Sequence, residues 1–208
     1  MPTPRAGCAA AACGGSIYVC GGLVAAGQVL GAVESFCPAA GRWRRMPAMP
    51  TARCGCAAAA VGGEVFVFGG QLEDGTVLAT AERFAADRRQ WAPAPPMPNP
   101  RSGFAAVAAC GVIHLLGGLS SGGLSVSVVD RLDPKDGGAW LTGLPLPSPR
   151  AGCAAGAAGG SIFVCGGFTD DRLDSDRAGS LDVAEGRWSE LRALPFPRRL
   201  CAGAVIWR

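Results

Sequence analysis

Short apolar runs recur along the chain, and four of them end in paired glycines: Gly21-Gly22, Gly69-Gly70, Gly117-Gly118 and Gly166-Gly167. The residues before each pair are β-branched or aromatic, as in Ser16-Ile17-Tyr18-Val19-Cys20 and Glu64-Val65-Phe66-Val67-Phe68. Runs this short, bounded by turn residues, predict strands rather than helices. Upstream of each run lies a stretch of mostly small residues, such as Ala6-Gly7-Cys8-Ala9-Ala10-Ala11. Downstream comes a third apolar element, Val33-Glu34-Ser35-Phe36, with counterparts Ala81-Glu82-Arg83-Phe84 and Val129-Asp130-Arg131-Leu132. A fourth element starts at a tryptophan and leads into a Met-Pro or Leu-Pro linker. The pattern thus predicts units of four strands, near residues 5–12, 15–20, 32–36 and 42–46 in the first, with no helix between a double glycine and the next tryptophan. Side chains grow from Ala and Gly at one edge of the unit to Trp at the other, the taper of a wedge-shaped blade.

These units are copies of one another. Trp43, Trp91, Trp140 and Trp188 are separated by 48, 49 and 48 residues, and Arg5, Arg53, Arg101, Arg150 and Arg198 keep the same period. An apolar anchor precedes the tryptophan by seven residues at Phe36, Phe84 and Leu181, and by eight at Leu132, because repeat three carries one extra residue. Fixed periods of this length mark repeat architectures. An apolar strand ending in Gly-Gly, a Glu-x-aromatic element and a following Trp resemble the kelch repeat over essentially the whole chain. Three details depart from it: Phe or Leu stands for the usual Tyr of the third strand, Gly179 replaces the acidic residue in repeat four, and Leu200 replaces the strand-A glycine in the fifth start.

The resemblance implies an all-β fold, a kelch-type β-propeller or propeller segment with four blades of four antiparallel strands. The expected organisation is one kelch-repeat domain over 1–208, with repeats of about 1–48, 49–96, 97–145 and 146–193 and a partial fifth at 194–208. Kelch rings usually close with five to seven blades, more than this length supplies. The chain also opens and finishes on a strand A, and Met1 matches the internal Met49 and Met97. Three arrangements stay open: a portion of a longer propeller, a four-bladed ring with a spare strand at 198–207, and an open array completed by self-association through its strand edge.

At 49% hydrophobic and 17% charged residues the composition is globular. A net charge of +3 without a basic stripe argues against nucleic acid as a partner. No apolar run approaches the ~18 residues of a membrane span, and the N-terminus shows no secretory leader. Ten cysteines raise the question of a disulfide framework. Cys8, Cys56, Cys153 and Cys201 fall where repeat three has Phe104, however, and Cys20 and Cys165 fall where Phe68 and Leu116 sit. They read as small core hydrophobes, reduced and mostly buried, which points to the cytoplasm, with the nucleus as the other compartment. Cys54-Gly55-Cys56 has no companion His, so no metal or cofactor is expected.

No residue set reads as catalytic. His114 takes the place of Tyr18, Phe66 and Phe163 on a strand, and with one His and one Tyr in the chain the copper site of galactose-oxidase-like kelch enzymes cannot be built. Positions shared by all repeats serve the scaffold, while positions that differ are free for function. The repeat arginines Arg53, Arg101 and Arg150 therefore read first as scaffold that bonds loop carbonyls, with a secondary contact role implied by the partner-binding face of kelch domains. The loops after the double glycines differ most. Repeat two offers Glu73 and Asp74, and repeat four offers Phe168-Thr169-Asp170-Asp171-Arg172-Leu173-Asp174-Ser175-Asp176-Arg177, with four aspartates and two arginines. Candidate partner-binding residues are thus Asp170, Asp171, Arg172, Asp174, Asp176 and Arg177, with Glu73, Asp74 and the three arginines. The resemblance implies a protein-protein interaction module that binds a peptide or protein through blade loops, as ubiquitin-ligase substrate adaptors and cytoskeletal scaffolds do. The alternative it allows is a small-molecule enzyme on a kelch ring, of the sialic-acid-epimerase or nitrile-specifier kind.

Overall fold

The computed structural model describes residues 1–171 and 173–203. The chain divides into two compact units, Met1–Ser102 and Gly103–Arg208, each built from two four-stranded antiparallel sheets. In the first unit, sheet one runs in sequence order through β1 (Ala9–Cys13), β2 (Ser16–Cys20), β3 (Val33–Cys37) and β4 (Arg42–Met46). Sheet two repeats it with β5 (Ala57–Val61), β6 (Glu64–Phe68), β7 (Ala81–Ala85) and β8 (Gln90–Ala94). In the second unit, sheet three comprises β9 (Ala105–Ala109), β10 (Val112–Leu116), β11 (Val129–Leu132) and β12 (Trp140–Thr142). Sheet four comprises β13 (Ala154–Ala158), β14 (Ser161–Cys165), β15 (Ala178–Asp182) and β16 (Arg187–Leu191). A three-residue 3-10 turn, Pro38–Ala40, joins β3 to β4.

The repeated anchor and tryptophan are cross-strand partners. Phe36 faces Trp43, Phe84 faces Trp91 and Leu181 faces Trp188 in register, with ring centroids 5.1 and 5.0 Å apart in the two aromatic pairs. Leu132 still faces Trp140, so the turn between β11 and β12 absorbs the extra residue of repeat three. The alanine-rich β1 lies beside β5, and the core of the first unit gathers Tyr18, Val33, Cys56, Val65, Val67 and Phe84. The second unit has its own core, in which Leu116, Val129, Leu146, Ile162, Val164 and Leu181 pack together.

The first strand begins later than expected, at Ala9 rather than near residue 5. Gly7 turns the chain with φ +61°, and Ala6 instead exchanges two backbone bonds of 2.9 Å with Leu23, beyond the double glycine. The double glycines are where successive repeats meet. Gly22 N–H donates to the Arg53 carbonyl, Gly70 to Arg101, Gly118 to Arg150 and Gly167 to Arg198, all at 2.8–2.9 Å. A Cβ at Gly70, where φ is +90°, would stand 2.6 Å from the Cys54 carbonyl oxygen, so any side chain there would push away the start of its own repeat. The fifth start follows the same rule as far as it is described: Arg198 accepts from Gly167, and Leu200 N–H donates to Gly152 O at 2.8 Å. Residues 201–203 form no strand, and 204–207 of the expected strand lie outside the described residues.

All ten cysteines are free thiols, and their burial is lower than the sequence suggested: Cys13, Cys20, Cys56 and Cys153 are buried, five are half-buried, and Cys110 is exposed on the β9–β10 turn. Burial pushes the Cys56 and Cys153 thiols up to about 12 and Cys20 further still. A thiolate-selective reagent applied to the native protein should modify Cys110 first and leave these three unmodified until denaturation, when ten groups titrate. Mass mapping of the modified peptides reads the order. Early labelling of Cys56 or Cys153 would contradict their burial.

Candidate functional site

Arg5, Arg53 and Arg150 enter their sheets just before the Ala-rich strand with their guanidinium groups turned inward, whereas Arg198 is exposed. Arg5 Nη1 donates to the carbonyls of Gly21 and Ala32 at 2.9 and 2.7 Å. Arg53 Nη1 donates to Gly69 and Thr80 at 2.8 and 3.0 Å, and Arg150 Nη1 to Gly166 and Arg177 at 3.2 and 3.3 Å. The Ala32, Thr80 and Arg177 carbonyls also accept from the N–H of Gly21, Gly69 and Gly166 at 3.0–3.1 Å, so each arginine clamps both sides of the double-glycine turn. Arg53, Arg101 and Arg150 are all buried. The structure thus places them beneath the loops as struts.

A carboxylate completes this arrangement in the first unit. Arg5 Nη2 lies 3.2 Å from Glu34 Oε2, while the Thr3 hydroxyl donates to Glu34 Oε1 at 2.7 Å. Repeat two is the same, with Arg53 Nη2 3.4 Å from Glu82 Oε2 and the Thr51 hydroxyl 2.7 Å from Glu82 Oε1. A hydroxyl and a guanidinium two residues apart therefore grip the two oxygens of one carboxylate. Burial draws the Arg53 guanidinium below its ordinary value, and Glu82 pulls it back.

Repeat four keeps the grip and lacks the carboxylate, because Gly179 stands where Glu34 and Glu82 stand. Arg150 Nη2 donates to the Ser148 hydroxyl at 2.9 Å, and Arg150 Nε has no hydrogen-bond partner. Burial lowers the Arg150 pKa too, and the nearby Arg177 charge pushes the same way. A cavity of about 300 Å³ lies here, lined by Ser148, Arg150, Ala178, Gly179, Trp188 and Glu190 among others. The first unit has a matching cleft of about 350 Å³ over Thr51, Ala81, Glu82 and Trp91, but Arg53 is not among its lining residues. Removing the acidic side chain is what opens the cleft to the arginine. The sequence showed this substitution as a departure from the family pattern. The signal that it creates a cavity was the constant 31-residue interval from Thr3 to Glu34 and Thr51 to Glu82, which in repeat four joins Ser148 to Gly179.

The charged loop of repeat four borders a second depression, of about 460 Å³, lined by Thr169, Asp171, Leu173, Asp174, Ser175 and Asp176 with Ser148, Arg150 and Arg177. Three of its four aspartates are individually engaged. Asp170 Oδ1 accepts from the Ser125 amide at 2.6 Å, tying the loop to that of repeat three. Asp171 accepts from the Thr169 hydroxyl and the Leu173 amide, which together hold its carboxyl below the ordinary range. Asp174 pairs with Arg199 at 3.2 Å, and that guanidinium lies over the Phe168 ring, 5.6 Å from its centroid. The Arg177 carbonyl holds Arg150 while its own side chain is exposed. Arg172 lies outside the described residues. In repeat two, Asp74 caps its own loop through the Thr76 amide at 2.9 Å, which lowers its pKa, and Glu73 is exposed. The structure thus gathers Asp171, Asp174, Asp176 and Arg177 around one depression, without Asp170 in its lining, and Arg150 reaches both it and the carboxylate cavity. Glu73 and Asp74 belong to the other unit.

No group of three or more His, Cys, Asp or Glu among the described residues could hold a metal ion, and no helix among them is long and apolar enough to cross a membrane. The family model of the KLHDC2/KLHL20/DRC7 Kelch-repeats domain matches residues 7–207. A search of curated proteins finds no match. Among solved structures, that of YjhT is similar with a TM-score of 0.83 at 21% identity, over 97% of this chain and 74% of that one. Identity this low speaks to the fold alone: the four-stranded sheets are blades of a kelch-type β-propeller.

Proposed function

Because the chain belongs to the kelch-repeat family, we propose that it is a non-enzymatic interaction module that binds a peptide or protein partner on the face made by the loops after the double glycines and the linkers before each repeat arginine. The observation that carries this reading is the asymmetry between repeats. Struts and glycines recur unchanged, while repeat four alone sets aspartates and the apolar Leu173, which is 67% exposed, around a depression. A charged rim around an apolar anchor is a common hot-spot arrangement. Work as a cytoplasmic substrate adaptor of a ubiquitin ligase, or as a cytoskeletal scaffold, is consistent with such a module.

The triple variant Asp171→Asn, Asp174→Asn, Asp176→Asn tests it, leaving Asp170 to hold Ser125. Charges on an exposed loop are screened by solvent and contribute little to stability, so the variant should melt near the wild type. Its captured partners should be lost from a pull-down out of cell extract, and the salt dependence of wild-type capture should flatten. Retention of every partner by the triple variant would move the binding face away from repeat four.

A further inference from the structure

We infer that the cavity between Ser148, Arg150 and Gly179 is a binding site for a single carboxylate carried on a short apolar stem, which takes the position that Glu34 and Glu82 hold in repeats one and two. The inference rests on the reading of the loop and linker face as the binding face, since Ser148 belongs to that linker, and it names the chemistry recognised there.

The protein itself displays the geometry of the complex twice. In repeats one and two the linker hydroxyl donates to one carboxylate oxygen at 2.7 Å and the arginine Nη2 lies 3.2 and 3.4 Å from the other. Repeat four retains both donors. Ser148 stands at the threonine position, and its hydroxyl, which accepts from Arg150, still has its own proton to give. Arg150 is 6% exposed and lines the cavity, and its Nη2, the atom that meets the carboxylate in repeats one and two, is held here by the Ser148 hydroxyl. A buried cation without a carboxylate is costly, and a guest carboxylate would relieve that cost. The remaining wall decides what else the ligand carries. Trp188, Leu146, Val164 and Ala178 offer an apolar surface for a stem of a few carbons. Glu190 faces Gly179 across the β15–β16 register and lines the same cavity, so a second negative charge on the ligand would be repelled. A monocarboxylate therefore suits the site better than a dicarboxylate.

Gly179 also supplies a clean control. A Cβ built there would meet the Ser189 carbonyl oxygen at 3.4 Å and the Trp188 ring at 3.7 Å, ordinary contacts, so Gly179→Glu can restore in cis what the site lacks.

The full chain is titrated calorimetrically with butyrate, with butyramide as the neutral isostere and with succinate as the diacid. Butyrate should bind saturably, with butyramide and succinate each at least about tenfold weaker, the ratio expected when a charge-assisted bidentate contact is lost or opposed. Gly179→Glu should abolish butyrate binding and raise the melting temperature. Ser148→Ala, which leaves the Arg150 backbone contacts in place, should weaken butyrate about tenfold while melting with the wild type, and keeps the test valid should the glutamate variant fold poorly. Equal binding of butyrate and butyramide, or undiminished butyrate binding in both variants, would overturn the site. A tripeptide Ala-Glu-Ala blocked at both ends separates the two sources of carboxylate. Competition with butyrate assigns the site to an acidic side chain of a protein partner. Failure to compete, with butyrate still bound, assigns it to a free small acid and separates the cavity from the partner-binding reading.

Discussion

Arg53→Ala should destabilise the protein by about 3–5 kcal/mol, the largest effect of any single substitution proposed for it. Arg53 is fully buried and its guanidinium is consumed from every side: Gly69 O and Thr80 O on Nη1, the Thr80 hydroxyl and Glu82 on Nη2, and Thr51 O at 3.4 Å on Nε. Truncation takes the buried bond from Gly69 O, leaves the Thr80 carbonyl with only the Gly69 N–H, and leaves Glu82, 6% exposed, without its cation. A buried ion pair is weak evidence of net stabilisation, yet removing one partner leaves the other uncompensated, and that uncompensated charge sets the size of the effect. Glu82→Ala should therefore also be costly, and the double variant should lose less than the two single losses combined, with a coupling of about 0.5–3 kcal/mol. Urea unfolding of the four proteins, followed by tryptophan fluorescence, measures the cycle. Additive losses would show that the two charges do not depend on each other. Arg53→Lys should rescue little, because an ammonium cannot span the carbonyl pair and the carboxylate with one planar fork.

How much of this could be read in advance depends on whether a feature repeats. The seven-residue interval from anchor to tryptophan was plain in the sequence, and the structure shows it to be a hairpin register that pairs Phe36 with Trp43 and Phe84 with Trp91. The scaffold role of the arginines followed from their recurrence. The late start of β1 did not, because Ala and Gly carry no periodic signal and the turn at Gly7 is set by pairing between Ala6 and Leu23, a tertiary contact. The cysteines show the same limit: their place at apolar positions marked them as small core residues, whereas the half-exposed setting of Cys165 and Cys201 depends on what packs over them. The carboxylate cavity was hidden for another reason. A glycine in one repeat looks like a lost interaction until the linker hydroxyl and arginine are seen to keep their places around it.

His114→Phe should make the protein resistant to mild acid. His114 lies on β10, 1% exposed, between Val107 on β9 and Arg131 on β11, and neither ring nitrogen has a hydrogen-bond partner. Burial, and then the Arg131 charge, lower its pKa to about 4, against 6.5 for a free imidazole. The direction of the effect follows from proton counting. Between pH 6.5 and 4 the unfolded chain binds a proton on this side chain and the folded protein does not, so stability falls as the pH drops through that window and is unaffected above it. The full loss amounts to about 3 kcal/mol at pH 4. Phenylalanine is the residue that repeats two and four carry at this position, Phe66 and Phe163, so the pocket accepts an aromatic ring without a new shape. Carboxylates titrate in the same range, but they do so in both proteins and cancel in the difference. The measured quantity is the unfolding free energy of His114→Phe minus that of the wild type, from urea titrations between pH 4 and 8. It should be small and flat above pH 7 and rise by about 3 kcal/mol toward pH 4. A difference that stays flat down to pH 4 would mean that the imidazole takes up its proton as readily in the folded protein as in the unfolded chain.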